Sequence, residues 1–236
     1  MKEKADQLLG WFADKGSVLV AFSGGVDSSV VAKAAHLALM DNAIALTARS
    51  STLSRSEFES AKKVAKEMGI SHIVIEEDEL DDPRFVENPA DRCYYCRKGL
   101  VTALKEMAEE KNITYVLDGA NADDLKEHRP GLRALRENGA RSPLLELGFG
   151  KEDVRGIARY FGLTTYDKPS MACLASRIPY GEKITHVKLD MVEKAEDFLR
   201  GKGFRQVRVR HHRGIARIEV SEAEIEKATR LRKEIS

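Results

Sequence analysis

The sequence predicts an α/β protein built on a doubly wound parallel sheet, followed by a small α+β domain, and three observations carry that prediction. Short apolar, β-prone runs alternate with helical segments, the pattern of strands covered on both faces by crossover helices. The first such strand breaks into two glycines that open a helix, in Val18-Leu19-Val20-Ala21-Phe22-Ser23-Gly24-Gly25-Val26-Asp27-Ser28-Ser29. Past residue 182 the alternation gives way to one helix, two strands of period two and a last helix. We therefore divide the chain into residues 1–182 and 183–236.

Taken in order, residues 1–15 form an amphipathic packing helix with Leu8, Leu9, Trp11 and Phe12 on its apolar side. Strand 18–22 leads through the glycine turn to helix 27–40 and strand 43–47. Helix 55–68 stops at Gly69 and strand 71–75 follows. The acidic segment 77–90, with Pro83 and Pro89, is long for a simple connection and reads as a candidate lid. Helix 92–110 carries Cys93 and Cys96 in its first turn, and strand 115–118 is the fourth. A short extended piece at 141–145 and an amphipathic helix at 150–158, closed near Gly162, complete the alternation. Residues 168–181, bracketed by Pro169 and Pro179, lack periodicity and read as a functional loop. Then come helix 187–202, strands 204–210 and 215–220, and helix 222–233.

With 236 residues, 42% of them hydrophobic, the chain can bury a sizeable core. Its 39 Lys and Arg nearly cancel 38 Asp and Glu, so the chain as a whole is not built to coat a polyanion. Residues 183–236 carry 14 basic and 9 acidic side chains, so any charge-driven contact belongs there. No apolar run is long enough for a membrane span and residues 1–12 lack a signal peptide's apolar stretch, so a cytoplasmic protein is expected. Three cysteines in a reducing compartment point to metal or catalytic roles before disulfides.

Adjacent glycines let backbone N–H groups converge on one point, and a helix N-terminus adds the positive end of its dipole. With the hydroxyls of Ser23, Ser28 and Ser29, the turn suits a phosphate anion. Neither the Walker spacing nor G-x-G-x-x-G is present. Ser23-Gly24-Gly25-Val26-Asp27-Ser28-Ser29 instead resembles the PP-loop of the ATP pyrophosphatase superfamily, which implies an adenine nucleotide alpha hydrolase-like fold and cleavage of ATP to AMP and pyrophosphate. Pro143-Leu144-Leu145 followed by Lys151-Glu152-Asp153-Val154-Arg155 is shared with the same enzymes. A carboxylate beside phosphates needs a cation between them, so Asp27 implies Mg²⁺. In parallel sheets ligands sit beyond the strand C-terminal ends. The expected ATP site is therefore Ala21, Phe22, Ser23, Gly24, Gly25, Asp27, Ser28 and Ser29, with Ala48, Arg49 and Ser50 from the second strand and Gly119, Asn121 and Asp123 from the fourth.

Cys93-x-x-Cys96 alone fits a redox pair, half of a zinc site, iron–sulfur ligation, or unrelated buried thiols. The stretch Ala172-Cys173-Leu174-Ala175-Ser176-Arg177-Ile178-Pro179-Tyr180-Gly181, together with the PP-loop, resembles the LarE family of sulfur transferases, which make the nickel-pincer nucleotide cofactor of lactate racemase. The similarity extends over Asp118-Gly119-Ala120-Asn121-Ala122-Asp123-Asp124 and the arginine-rich hairpin, nearly the whole chain. Family members with one cysteine, matching Cys173, sacrifice its sulfur. Those with three resemble this chain, which implies that Cys93, Cys96 and Cys173 hold a [4Fe–4S] cluster.

The implied chemistry is adenylation of a carboxylate of pyridinium-3,5-biscarboxylic acid mononucleotide, then sulfur attack to give a thiocarboxylate, with Cys173, Ser176 and Arg177 as the catalytic candidates. Arg177 is expected to lower the Cys173 pKa or to hold an acidic substrate, unless it is a structural ion pair. Alternation places Arg208 and Arg210 on one strand face, a clamp that the resemblance assigns to the substrate phosphate. The expected partners are a small nucleotide substrate and sulfide or a sulfur-donor protein, with a homo-oligomer and neither membrane nor nucleic acid. Competing readings are a PP-loop tRNA thiolation enzyme, another PP-loop adenylating ligase similar to NAD synthetase, and an ATP-binding module without turnover.

Overall fold

A computed structural model describes residues 1–126 and 130–235. Helix α1 (Lys2–Trp11) precedes strand β1 (Val18–Ala21), helix α2 (Val26–Leu39), strand β2 (Ala43–Arg49), helix α3 (Arg55–Met68) and strand β3 (Ser71–Glu76). The short helix α4 (Pro83–Val86), the long α5 (Arg92–Glu110) and strand β4 (Tyr115–Leu117) follow. Helices α6 (Pro130–Glu137), α7 (Pro143–Glu146) and α8 (Lys151–Tyr160) lead to α9 (His186–Gly201), strands β5 (Val207–His212) and β6 (Ile215–Val220), and helices α10 (Ile225–Arg230) and α11 (Arg232–Ile235).

The first four strands form one parallel sheet in the order β3-β2-β1-β4. Strand order therefore reverses between β1 and β4, the position at which such sheets open a crevice. Period two sends successive side chains of β1 to opposite faces. Val18 and Val20 enter a core with Leu8 of α1, Phe12 just after it, Val30 and Val31 of α2 and Ile157 of α8. Leu19 joins Leu46, Leu104 of α5, Ala108 and Val116 on the other face. Both faces are covered, as the unbroken apolar strands require.

The α/β reading holds, with differences that follow from tertiary contacts. Strand β2 runs to Arg49 because β3 continues beside it, Arg49 pairing with Glu76. The expected extended piece at 141–145 is one bridge, Leu117 with Arg141, before proline starts α7. Helix α6 lies against α5 and was not anticipated. The terminal helix expected at 222–233 is broken into a 3₁₀ turn, α10 and α11.

Segment 77–90 is held down and not free as a lid would be. Phe85 is buried with Leu174, Ala175, Ile178, Ile184, Leu189 and Val192, and Gly181 N and Ile184 N donate to Asn88 O and Val86 O. A separate cluster, Leu199, Phe204, Val207 and Val209, packs the antiparallel β5–β6 hairpin onto α9. Helix α9 thus contributes to both clusters. Among the described residues no helix is long and apolar enough to cross a membrane.

Gly24 lies at φ 67, and a Cβ there would come 2.6 Å from Ala61 Cα on α3. Gly24→Ala combines left-handed strain with a clash against helix backbone, and a loss of about 2–3 kcal/mol is expected in urea unfolding. A loss below about 0.5 kcal/mol would show that α3 yields freely.

Candidate active site

The turn after β1 is braced by its own serines. Ser23 N donates to Ser28 Oγ at 3.2 Å, Ser28 Oγ donates to Gly25 O at 3.2 Å, and Gly25 N reaches Ser23 Oγ at 3.4 Å. Behind it Thr47 Oγ1 donates to Phe22 O at 2.7 Å, and Phe22 is buried. Ser23 is exposed, whereas Ser29 is fully buried and its Oγ has no hydrogen-bond partner, which separates it from the other two serines. Lys168 Nζ caps the turn, donating to Gly24 O at 3.2 Å and Ser60 Oγ at 2.9 Å while paired with Glu57 at 2.9 Å.

The loop after β4 packs directly on the start of α2. A Cβ on Gly119 would lie 2.7 Å from Ser28 N, so only glycine permits this approach. Asn121 Nδ2 donates to Asp27 Oδ1 at 3.2 Å, and Lys151 Nζ donates to Asp27 Oδ2 at 2.5 Å. Lys151 N donates to Asp123 Oδ2 at 2.7 Å, and Asp123 N to Asn121 Oδ1 at 3.0 Å. Buried Asp118 holds the loop by accepting from Ala120 N and Ser142 Oγ, and burial pushes its carboxyl up. The crevice between β1 and β4 therefore gathers Ser23 to Ser28, Asn121 and Asp123, together with two lysines that the sequence reading left out of the site. The signal for Lys151 was present: a cation in the first turn of a helix opposes the helix dipole and needs another purpose.

Arg49 and Ser50 lie at and just past the end of β2. Arg49 pairs with Glu76 at 3.3 Å and stacks over Phe58, while Ala48 is half-buried on the strand. With Ser50 it lines a neighbouring cleft of about 1550 Å³ that also includes Glu77, Glu79, Phe85 and Cys96. A polar chain runs along it: Ser50 Oγ to Thr52 Oγ1 at 3.3 Å, Thr52 Oγ1 donating to Glu79 Oε1 at 3.0 Å, and Cys96 Sγ donating to the same oxygen at 3.5 Å.

The three cysteines, 80 residues apart at the extremes, meet in one electrostatic neighbourhood. Burial first, then the charge of Cys93, raises the Cys173 thiol, opposed by Arg92. Burial first, then Glu79, raises Cys96 well above its ordinary value, with Cys173 adding to the effect. Cys93 and Cys173 are solvent-accessible and unbonded, so all three remain free thiols. Among the described residues no three His, Cys, Asp or Glu side chains are close enough to hold a single metal ion.

Of the roles left open for Arg177, its contacts are those of the structural ion pair. It is 1% exposed, with Nε and Nη2 donating to the fully buried Glu196 at 2.8 and 3.2 Å, and Nη1 donating to Ala172 O, Cys173 O and Ser176 Oγ. Each of its nitrogens has a partner, Nη1 on the loop around Cys173 and Nε and Nη2 on α9, so Arg177 holds that loop to the helix; a cation whose field reaches the Cys173 thiol is Arg92. Glu196 also accepts from Arg200 and from Val209 N of β5. Val207 and Val209 face inward and Arg208 and Arg210 share the other face, as alternation requires. Arg210 donates to Glu219 at 2.7 Å and to Ser176 O at 3.2 Å, joining the hairpin to the cysteine loop. Among the described residues Arg208 has no hydrogen-bonded or ion-paired partner.

Arg177→Met leaves Glu196 buried with half its partners, and a stability loss of about 3–5 kcal/mol is expected from urea unfolding; a loss under about 1 kcal/mol would contradict the buried-pair account. Glu77 supplies a pH test. Burial, then Glu79 and Glu106, push its carboxyl from 4.5 up to about 7. The folded state keeps a proton that the unfolded chain releases, so Glu77 favours folding below pH 4.5 and that contribution is lost as pH rises through about 7. Glu77→Gln should match wild type near pH 4 and exceed it by about 1–2 kcal/mol at pH 8, after allowing for solvent screening. Equal stabilities at both pH values would refute it.

The model of the asparagine synthase family matches residues 13–164. An uncharacterized protein of Synechocystis sp. is 43% identical over 226 residues, 96% of this chain and 84% of its own. The pyridinium-3,5-bisthiocarboxylic acid mononucleotide synthase of Lactiplantibacillus plantarum is 41% identical over 223 residues, 94% of this chain and 81% of its own. An uncharacterized protein of Methanocaldococcus jannaschii is 30% identical over 205 residues, 87% of this chain and 78% of its own. With the serine-braced turn after β1 at the reversal point of a parallel sheet, and similarity running through both the cysteine loop and the arginine hairpin, the chain belongs to the LarE family of PP-loop proteins.

Proposed function

We propose that this protein is an ATP-dependent sulfurtransferase of nickel-pincer cofactor synthesis that converts a carboxylate of pyridinium-3,5-biscarboxylic acid mononucleotide to a thiocarboxylate, feeding lactate racemase or another enzyme that uses the same cofactor. The observation that carries the reading is that segment 168–181 reaches the anion-binding turn through Lys168, which donates to Gly24 O, and meets the hairpin's Arg210 through Ser176, beside Cys173.

ATP enters with its phosphates on the Ser23 to Ser28 turn, whose donors stabilise the pyrophosphate as it leaves. A half-buried carboxylate facing that turn is the hard oxygen donor that Mg²⁺ takes, so Asp27 would hold the ion, and Lys151, now paired to Asp27, would be released toward the phosphates. Bond exchange at the α-phosphate joins AMP to the substrate carboxylate, which turns a poor leaving group into a phosphate. A sulfur nucleophile then attacks the carbonyl carbon and AMP departs. Arg208 and Arg210 hold the substrate phosphate, and Ser176 and Arg177 fix the Cys173 backbone. Residues 183–236 thereby act as the phosphate-binding unit.

The donor set fits a [4Fe–4S] cluster by its chemistry: three free thiols share one electrostatic neighbourhood, and Glu79 Oε2 and Arg92 Nε are buried without hydrogen-bond partners. Cys93, Cys96 and Cys173 would hold it, and when bound it supplies an open iron position for sulfide. Sulfide or a sulfur-donor protein replenishes the sulfur, and the enzyme works as a cytoplasmic homo-oligomer.

With ATP, Mg²⁺, sulfide and the biscarboxylate mononucleotide, mass spectrometry should show a gain of about 16 Da per converted carboxylate as sulfur replaces oxygen. Lys151→Ala should slow pyrophosphate release about 100-fold, whereas Cys173→Ser should retain pyrophosphate release and yield no thiocarboxylate. Thiocarboxylate formation by Cys173→Ser would sink the assignment.

A further inference from the structure

Arg92 has a placement that neither the fold nor the reaction outlined above explains. It opens α5 immediately before Cys93, where a cation faces the positive end of the helix dipole. It is 5% exposed, far below what an arginine usually accepts. Nη1 donates to Asn88 Oδ1 at 2.7 Å, and the guanidinium stacks on the exposed Tyr180 ring at 4.4 Å from its centroid. Nε is buried and has no hydrogen-bond partner. An N–H left without an acceptor inside a protein is costly, and a charged one more so, which points to an acceptor that arrives with a ligand.

The surroundings identify that acceptor. Arg92 shares the start of α5 with Cys93 and Cys96, Cys96 packs against the cluster that holds Leu174 and Ala175, and the guanidinium stacks on Tyr180, so the unused donor is buried at the seam between the two segments that carry the thiols. The other charged groups felt there are Glu79, an anion, and Arg97, which acts on Cys96. Once the three cysteines ligate iron as thiolates, the carboxylate beside them adds to a negative charge that a cation offsets. A hydrogen-bond donor with no oxygen partner in a thiol-rich locus fits sulfide sulfur.

We propose that Arg92 is a positioning residue for the sulfur chemistry, its Nε–H donating to a sulfide sulfur of the group held by Cys93, Cys96 and Cys173. This rests on the iron–sulfur reading. Positive charge and N–H···S bonds favour the form with more negative charge, so Arg92 raises the reduction potential of the group and steadies an added sulfide anion.

The test is anaerobic reconstitution with iron and sulfide of wild type, Arg92→Met, Arg92→Lys and Tyr180→Leu, followed by iron counting and a redox titration read by visible absorption. Arg92→Met should keep the wild-type iron content and have its reduction equilibrium weakened about tenfold, a potential lower by about 59 mV for one electron. Tyr180→Leu removes only the stacking partner and should keep the wild-type potential. A wild-type potential in iron-loaded Arg92→Met overturns the proposal. Should Arg92→Met fail to fold or to load, Arg92→Lys decides: it keeps the charge and displaces the donor, and its potential must fall, an unchanged value again overturning the assignment. If wild type itself takes up no iron, the iron count alone shows that the cluster reading has failed and this inference with it.

Discussion

The buried contact between Arg177 and Glu196 is the interaction on which the arrangement of the site depends. Its guanidinium gathers Ala172 O, Cys173 O and Ser176 Oγ, and its carboxylate partner gathers Arg200 and Val209 N. One ion pair thus joins the cysteine loop, α9 and the first strand of the hairpin. Two charges so deeply buried are tolerated because nearly all their hydrogen-bonding capacity is met. The arrangement ties the position of Cys173 to that of the hairpin arginines, so the cysteine loop and the hairpin share one anchor.

A second constraint acts where strand order reverses between β1 and β4. Gly119 lets the β4 loop approach Ser28 closely, and the approach brings Asn121, Asp123 and Lys151 to Asp27. Without ligand, Lys151 neutralises the carboxylate. The pairing keeps an acidic group inside a cavity that otherwise favours anions, and it leaves a cation at hand when phosphate arrives.

The two cavities differ in electrostatic character. The crevice at β1 and β4 is edged by backbone donors and lysines. The cleft beside it is lined by many carboxylates, and there Glu77 is pushed up to about 7 by burial and by Glu79 and Glu106. Cys96 lies on its wall, joined to Ser50 through Thr52 and Glu79.

Local patterns in the chain were enough to read the parallel sheet, the glycine turn, the limits of α3 and α5 and the inward-facing Val207 and Val209, because period and glycine placement act within a few residues. The PP-loop and the cysteine loop were legible for the same reason: each is contiguous. What the sequence could not decide lies between distant segments. The partnership of Lys151 with Asp27, the place of Arg49 in a second cleft and the docking of Phe85 under the cysteine loop all depend on how strands of unequal length and packed helices meet. Arg177 and Arg92 make the point most directly. Both stand next to candidate site residues in the chain, and only burial and hydrogen-bond partners show that the first is spent on structure while the second keeps a buried donor without a partner.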